Sequence, residues 1–258
     1  MAWGAAYLER LAALGGIGLA AGYLSTLFGI GGGLVVVPLL VYGLGYGFET
    51  ARDLSLLAMG VQTPFGLWTH HRRGAVDWRM GGWLAAGGIA GVLVGDRLRP
   101  LVPVTSLKLL FALIMVGAAW RLWVRLVQGE PRRIDWAALL LLGLGAGVVS
   151  RLLGIGGGLV TVPVLVLMGV SIHTAVATSL LPVFTNAAVA SIGILREGAT
   201  DWHPAPAIAV AALVAAPFGT LTAHAVPATP LKRAFAVVLV LAAAYVAATS
   251  GAFGGATP

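Results

Sequence analysis

Two nearly identical glycine-rich stretches contain the residues best suited to bind a small ligand. Residues 29–38 read GIGGGLVVVP and residues 154–163 read GIGGGLVTVP, so the two differ only at Val36 and Thr161. Glycine leaves backbone N–H groups accessible to an oxyanion because no Cβ stands in the way. A helix that follows directly adds free N–H groups and the positive end of its dipole. The pattern predicts an anion site lined by Gly31, Gly32, Gly33, Gly156, Gly157 and Gly158.

The same glycines have two other interpretations. Gly29 and Gly33, like Gly154 and Gly158, have the spacing with which small residues bring membrane helices close together. A dinucleotide-binding loop also contains closely spaced glycines, but no strand and helix of a soluble βαβ unit surround these. We favour the ligand site because the motif occurs twice. Each copy also interrupts an apolar run, where one glycine costs about 0.5–1 kcal/mol relative to alanine in a helix.

A single arginine precedes the second glycine loop. Arg151 lies three residues before Gly154, in a run that carries no other charge after Asp135. An ionisable residue inside a membrane segment is a candidate functional residue, and a guanidinium can bind two oxygens of an anion at once. Two structural roles are equally open: the side chain could extend to the membrane surface, or it could stabilise the end of a half-helix.

Neutral polar side chains lie in the middle of two apolar segments. Gln62 and Asn186 occupy matching positions, 124 residues apart. Such side chains could bind an oxyanion and still release it, or they could serve only to join helices by hydrogen bonds. We expect the site to be lined by Gln62, Asn186, Thr178, Ser179 and Thr185, with the hydroxyls of Ser25, Thr63 and Ser150 nearby.

The composition is that of an integral membrane protein. Of the 258 residues, 59% are hydrophobic and 10% are charged, whereas an ordinary soluble domain is about 25% charged. The formal net charge of +7 lies mostly beside apolar runs, which is typical of membrane anchoring and does not indicate nucleic acid. The sequence has no cysteine and no motif for a cofactor, a metal, ATP or hydrolysis. It therefore predicts neither an enzyme nor a metal site.

The apolar runs predict an all-α polytopic fold with about eight to ten membrane segments, some of them short broken or re-entrant helices. The runs cover residues 11–28, 34–46, 54–69, 78–98, 106–127, 139–153, 160–170, 175–195, 205–225 and 231–249. The run after each glycine loop is too short to span a bilayer, so we expect a half-helix there.

The chain repeats itself with an offset of 124 or 125 residues. Beyond the glycine loops, Ser-Leu-Leu recurs at positions 55 and 179, and Asp-Trp recurs at positions 77 and 201. The sequence predicts one membrane domain of two repeats, residues 1–128 and 129–258. Broken helices at matching positions of two repeats indicate the binding site of a secondary transporter. The distribution of basic residues favours an inverted second repeat over a parallel one.

Several ionisable residues outside the glycine loops also have expected roles. Asp77 and Asp201 each precede a tryptophan, which predicts a helix N-cap followed by an aromatic anchor. We expect His70 and His71 to lie in a loop at headgroup level, and Arg52 to pair with Asp53 near the membrane surface. The candidates for coupling transport to protons are Glu49, Asp53, His173 and His224.

The doubled GxGGGxxxVP stretches resemble the TauE/SafE sulfite exporter family, the toluene sulfonate uptake permease group. So do Ala177-Thr178-Ser179-Leu180 and the GxxDW stretches, and the resemblance extends over nearly the whole chain. It implies a multi-pass carrier in the bacterial inner membrane for sulfur-containing anions such as sulfite, sulfoacetate and other sulfonates. The first half departs from the pattern at Asp53-Leu54-Ser55, so the resemblance assigns residue roles mainly in the second half.

Together these features predict a secondary transporter that moves small sulfur-containing anions by alternating access. Two alternatives stay open: a passive anion channel of the same fold, and a carrier of a small anion without sulfur. The expected partners are the anion and membrane lipid, with no nucleic acid and no cofactor. A homodimer and proton coupling are both compatible with the pattern.

Overall fold

The computed structural model of the protein describes residues 2–101, 104–124, 134–198 and 200–248. Within these ranges the chain forms no β-strand, so the predicted all-α fold is confirmed. A π-helical stretch, Leu39–Gly43, continues the second helix. The helices are α1 (Ala2–Phe28), α2 (Gly33–Pro38), α3 (Phe48–His71), α4 (Trp78–Leu98), α5 (Val104–Val124), α6 (Trp136–Leu153), α7 (Gly158–Leu167), α8 (Ile172–Glu197), α9 (Ala205–Ala225) and α10 (Ala228–Ala248).

The helix bounds follow the predicted apolar runs closely. α4 and α9 begin and end where predicted, whereas α3 begins earlier because the polar stretch around Asp53 forms its first turns. The ends of two predicted runs, residues 125–127 and 249, lie outside the described residues. Among the described residues, five helices are long and apolar enough to cross a membrane: Leu8–Phe28, Trp136–Leu153, Ile172–Glu197, Ala205–Ala225 and Ala228–Tyr245.

Each glycine loop is the tip of a helical hairpin. Arg10 Nη2 donates a hydrogen bond to the Tyr46 hydroxyl at 2.7 Å, so the chain enters α1 and leaves α2 at the same end of the molecule. Trp136 and Ser171 line one cleft of about 770 Å³, which places the start of α6 beside the end of α7. Both tips, residues 29–33 and 154–158, are buried. The short apolar helices Gly33–Gly43 and Gly158–Leu167 are therefore the returning arms of these hairpins.

The main helix contacts join the two halves of the chain. α1 packs on α9 and α6 packs on α4, while α3 packs on α8 and α5 packs on α10. The α4–α6 contact is close, because a Cβ added to Gly87, Gly91 or Gly147 would overlap a backbone carbonyl of the facing helix. Helices of the first half of the chain therefore pack between helices of the second half.

α3 and α8 pack on each other in opposite directions. Arg151 contacts Asp53 near the start of α3 and Glu197 at the end of α8. His224 contacts His70 near the end of α3 and His173 near the start of α8. We call the two regions the arginine end (Arg52, Asp53, Asp96, Arg151 and Glu197) and the histidine end (His70, His173 and His224).

Candidate functional site

The two hairpin tips cross each other inside the helix bundle. Gly33 lies against the carbonyl of Gly154, and a Cβ at position 33 would overlap that oxygen. Gly158 lies in the same way against the carbonyl of Gly29. The last glycine of each tip therefore packs directly against the carbonyl of the first glycine of the other tip. A larger residue at position 33 or 158 would push the tips apart.

The central glycines of the tips face each other. A Cβ added to Gly31 would lie 3.5 Å from the Cα of Gly156. The backbone φ angles in this region lie in the left-handed range, which costs other L-residues about 1–2 kcal/mol. They are 85° at Gly31, 85° at Gly32, 77° at Gly156 and 72° at Gly157. The glycine runs are thus required by both conformation and space.

Two serines hold the tips in place from the opposite half of the chain. Ser179 Oγ on α8 lies 2.8 Å from the Gly29 carbonyl and 2.8 Å from the Val176 carbonyl of its own helix, so the two carbonyls share its one donor proton. Ser55 Oγ on α3 donates a hydrogen bond to the Gly154 carbonyl at 3.0 Å. Sequence reasoning predicted Ser179 as a lining residue but gave no role to Ser55, although the recurrence of Ser-Leu-Leu was a signal for both. Their hydroxyls position the tips.

Two buried amides lie beside the tips and are incompletely hydrogen bonded. Gln62 Nε2 donates to the Gly31 carbonyl at 3.0 Å, while its Oε1 has no partner in the described part of the chain. Asn186 is 1% exposed, and neither Nδ2 nor Oδ1 has a partner there. Its Nδ2 lies 3.3 Å from where a Cβ of Gly157 would be. A buried polar group without a partner costs about 1–3 kcal/mol, so both amides are suited to bind a ligand.

Three buried hydroxyls close to these residues in the chain also lack partners within the described ranges. Ser25 Oγ, Thr63 Oγ1 and Ser150 Oγ are buried and make no hydrogen bond with the described residues. Thr63 follows Gln62 directly. Ser25 and Ser150 lie one helical turn after Ala21 and Ala146, whose carbonyls pack against Gly32 and Gly157.

The start of each returning helix leaves donors at the tip. The first hydrogen bonds of α7 run from Val160 N and Thr161 N to the Gly157 carbonyl at 3.0 and 3.1 Å. The corresponding bonds of α2 run to the Gly32 carbonyl. Backbone N–H groups before these bonds lie outside the helical hydrogen-bond ladder. N–H groups, amides and hydroxyls together could bind an oxyanion without a buried counter-charge.

Two apolar side chains cover the central glycines. Met59 Sδ and Val183 Cγ1 each lie 2.7 Å from where a Cβ of Gly31 would be, and both also approach Gly156. The two residues are 124 positions apart, like Gln62 and Asn186. Sequence reasoning did not find them, because an apolar residue in an apolar helix carries no distinguishing signal. A methionine side chain adapts easily in shape, so this cover can rearrange around a ligand.

Comparison with known proteins identifies the family. Residues 14–246 match the family described as Sulfite exporter TauE/SafE. The chain belongs to the TauE/SafE family. The resemblance carried by the glycine motifs is therefore confirmed, and no solved structure matches the chain.

The curated relatives of this chain are named as probable membrane transporters. The chain is 27% identical over 223 residues to the probable membrane transporter protein YdhB of Bacillus subtilis. The aligned region covers 83% of this chain and 90% of that protein. The chain is 28% identical over 242 residues to a probable membrane transporter protein of Xylella fastidiosa strain Temecula1, covering 90% and 92%. A Haemophilus influenzae relative of the same name is 31% identical over 177 residues, covering 63% and 65%. The protein is a multi-pass membrane transporter of the TauE/SafE family.

In this TauE/SafE protein, Arg151 is engaged by carboxylates at the arginine end. Its side chain is fully buried, and its Nε donates to Asp96. Its Nη1 lies 3.5 Å from Asp53 Oδ1, and its Nη2 lies 3.9 Å from Glu197 Oε1. Arg52 also donates to Asp53 through Nε and Nη2 at 3.0 and 2.9 Å. Arg52 and Asp53 are paired as expected, but they are buried inside the bundle, 3% and 4% exposed.

The two predicted threonines use their hydroxyls elsewhere. Thr178 Oγ1 accepts a hydrogen bond from the backbone N–H of Asp77 at 3.0 Å, which ties α8 to the start of α4. Thr185 Oγ1 donates to the Pro182 carbonyl within α8 at 3.2 Å. The structure therefore groups Gln62, Asn186 and Ser179 with the glycine tips and gives Thr178 and Thr185 structural hydrogen bonds.

The expectation of a loop position for His70 is wrong. α3 continues through His71 and directs His70 inwards, where it is 1% exposed. His70 Nδ1 lies 3.2 Å from His224 Nε2, and His70 Nε2 lies 2.9 Å from the Thr26 carbonyl. His71 is exposed and accepts a hydrogen bond from Trp78 Nε1.

The two predicted N-caps differ. Asp77 caps α4 as predicted, since its Oδ1 accepts from the Met80 N–H at 2.9 Å. Asp201 does not cap α9, because Pro204 intervenes and the helix begins at Ala205. Asp201 instead hydrogen bonds with the side chain and backbone of His203, which lowers the pKa of its carboxyl. Among the described residues, no group of three or more histidine or acidic side chains could hold a metal ion.

Proposed function

We propose that the protein is a secondary transporter, not an enzyme, that moves sulfite and sulfonates such as sulfoacetate across the bacterial inner membrane by alternating access. The observation that carries the proposal is Asn186, a buried amide beside two crossed glycine tips that has no hydrogen-bond partner among the described residues. The family match, to a Sulfite exporter, supports sulfur-containing anions as the substrate class.

The chemistry of the tips suits a small oxyanion. Amide, hydroxyl and backbone N–H groups all donate hydrogen bonds, and an anion with several oxygens can accept from more than one of them. Arg52, which packs against Gly154, and Arg151 already form ion pairs with Asp53 and Asp96. Both Nη atoms of Arg151 are nevertheless buried without a hydrogen-bond partner among the described residues. Neutral donors bind an anion more weakly than a free arginine would, and a carrier must release its substrate in every cycle.

The positions around the tips support two inverted repeats, residues 1–128 and 129–258. Ser55 and Ser179 hold opposite tips, while Gln62 and Asn186 flank them, and each pair is 124 residues apart. α3 and α8, which carry these residues, run in opposite directions. A substrate between such repeats lies where secondary transporters bind it.

Alternating access requires that either end of the molecule can open. The arginine end is held by Arg151 of the second half with Asp53 and Asp96 of the first. The histidine end is held by His70 with His224, and by the Thr69 and Thr220 hydroxyls, which lie 2.8 Å apart. Rocking one half against the other would break one set of contacts at a time while the tips remain crossed.

The charges favour one orientation. The described part of the arginine end carries four arginines near its surface: Arg10, Arg97, Arg99 and Arg196. The described part of the histidine end also carries four at its surface: Arg72, Arg73, Arg79 and Arg233. The chain between α5 and α6 adds Arg125, Arg132 and Arg133 by sequence. Because cytoplasmic loops are enriched in lysine and arginine, we place the histidine end in the cytoplasm.

Counterflow in proteoliposomes tests the proposal. Vesicles containing the full chain are loaded with sulfite, and labelled sulfite, sulfoacetate, taurine, thiosulfate or sulfate is offered outside. We expect saturable exchange with sulfite and sulfonates and little with vesicles that lack the protein. Flux that rises linearly with concentration and shows no exchange would indicate a passive channel. Exchange with none of these anions would overturn the assigned substrate class.

A further inference from the structure

His70 and His224 form a buried contact at the histidine end that the anion site does not use. The His70 Nδ1 and His224 Nε2 atoms are 3.2 Å apart, and the ring centroids are 5.1 Å apart. His70 is on α3 and His224 is on α9, so the contact joins the two halves of the chain. Thr69 and Thr220 join the same two helices beside it.

The hydrogen bonds of the neutral pair fix which ring nitrogens carry protons. A backbone carbonyl can only accept, so His70 Nε2 must donate to the Thr26 carbonyl, 2.9 Å away. The neutral His70 ring then has a bare Nδ1, which accepts from His224 Nε2. The remaining nitrogen, His224 Nδ1, makes no hydrogen bond with the described residues, and the His224 side chain is half-buried. The pair can therefore take one proton, on His224 Nδ1, without losing a hydrogen bond.

The surroundings leave such a proton without a nearby counter-charge. Arg73 follows α3, and His173 at the start of α8 lies with its ring centroid 6.2 Å from that of His224. His173 Nε2 donates to the Val226 carbonyl at 3.1 Å. α1 presents the carbonyl of Thr26 and the hydroxyl of Tyr23, which donates to Thr222 Oγ1 on α9 at 3.2 Å. In the described ranges no carboxylate forms an ion pair with any of these three rings. A proton bound here changes the local charge instead of neutralising an existing ion pair.

We propose that the His70–His224 pair is a proton-binding site that couples protons from the histidine end to transport. The link to transport rests on the proposed function; the proton site itself does not. Protonated His224 donates a charge-assisted hydrogen bond to His70, which is stronger than the neutral one. Separation of α3 from α9 removes this acceptor. Burial and the positive charge of Arg73 nevertheless disfavour a charged His224 ring in the closed state, and separation of the helices exposes the ring to water. The closed histidine end therefore binds the proton less tightly than the open end, and by linkage the proton favours opening.

Nuclear magnetic resonance of the full chain in nanodiscs tests the proton site without any substrate. The chain has five histidines, so nitrogen-15 labelled imidazoles can be assigned with one His→Gln variant at a time. We expect His224 to gain a proton at Nδ1 as the pH is lowered, while wild-type His70 stays neutral with its proton on Nε2. His70→Gln should shift the His224 midpoint, and the control His71→Gln should not. If the His224 midpoint is the same in wild type and His70→Gln, or His224 does not titrate, the proposal is overturned.

Anion counterflow at different pH values tests the coupling. Sulfoacetate is used here because its charge does not change near neutral pH, whereas sulfite is itself protonated there. Glutamine at position 224 can still donate a hydrogen bond to His70 but cannot titrate, so we expect His224→Gln to exchange sulfoacetate with a flat pH profile. Sulfoacetate exchange by wild type and by His71→Gln should change severalfold as the pH is lowered through the His224 titration. A pH-dependent His224→Gln profile would overturn the coupling. If wild type exchanges no tested anion at any pH, the proposed function fails, and the nitrogen-15 titration still decides the proton site.

Discussion

Asn186 and Gln62 occupy equivalent positions in the two repeats, but their side-chain amides differ in how many hydrogen bonds they make. Gln62 gives one hydrogen bond to a tip carbonyl, whereas Asn186 makes none among the described residues. A protein keeps a buried, unpaired amide at a stability cost of about 1–3 kcal/mol, and a ligand that pairs with it recovers that free energy. Replacing Asn186 should therefore weaken ligand binding without lowering the stability of the fold.

We expect Asn186→Leu to weaken sulfite exchange while leaving the fold intact. An apolar residue of similar size removes the amide without leaving another group unpaired, so the melting temperature in detergent should be unchanged or higher. Loss of a hydrogen bond to a charged ligand costs about 1.5–3 kcal/mol, which is at least a tenfold rise in half-saturation concentration. Gln62→Leu also removes the bond to Gly31 and should lower the melting temperature. Wild-type half-saturation in Asn186→Leu would exclude Asn186 from the site.

Gly157 and Gly145 provide a matched pair of glycine substitutions. Gly157 has φ of 72°, and a Cβ there would lie 2.9 Å from the Ala146 carbonyl. We expect Gly157→Ala to destabilise the protein by about 1–2 kcal/mol from the φ angle alone and to abolish exchange, because the tip must shift away from Asn186. Gly145 lies in α6 with open space around it, so Gly145→Ala should retain exchange. Thermal unfolding and counterflow measure both, and equal behaviour of the two variants would contradict this account of the tip.

The helical hairpins were predicted from the sequence only in part. Glycine runs inside apolar segments predicted both breaks, and the short runs after them predicted the half-helices. The crossing of the tips and the contact of Ser55 with Gly154 could not be predicted, because they join residues far apart in the chain. The burial of His70 was missed for the same reason: only the packing of α3 on α9 shows that this turn faces inwards.

The contact of Ser179 with Gly29 predicts how stable the first hairpin tip is. Ser179→Ala leaves the buried Gly29 carbonyl without its 2.8 Å hydrogen bond, which should cost about 1–3 kcal/mol and loosen the first tip. Ser191 lies on the same helix, and its buried hydroxyl has no hydrogen-bond partner in the part of the chain that the structure describes, so Ser191→Ala should have little effect. Hydrogen exchange of residues 29–33 would report the loosening directly. Equal protection of this tip in Ser179→Ala and wild type would show that α8 does not hold it through the serine.

At the scale of the whole molecule, equivalent positions at the two ends carry different chemistry. Arg151 and Asp96 form an ion pair at the arginine end. Their counterparts in the repeat alignment, Thr26 and Thr220, make only neutral hydrogen bonds at the histidine end; Thr26 Oγ1 donates to the Ala216 carbonyl at 2.7 Å. Opening the arginine end must separate partly buried charges, and breaking such pairs is costly. The neutral contacts of the histidine end are the easier ones to break, and the titratable imidazoles lie among them.

A reversible cross-link at the histidine end tests whether that end opens during transport. The chain contains no cysteine, and the Thr69 and Thr220 hydroxyls are 2.8 Å apart, so Thr69→Cys with Thr220→Cys should form a disulfide between α3 and α9. Sulfoacetate is the substrate of this test, because sulfite itself cleaves disulfides. Alternating access predicts that the oxidised protein loses sulfoacetate exchange, still binds sulfoacetate from the arginine end, and recovers exchange on reduction. The single variant Thr69→Cys controls for the substitution and should be insensitive to oxidant. Undiminished exchange by the oxidised protein would mean that α3 and α9 need not separate, because a closed disulfide cannot coexist with an open histidine end.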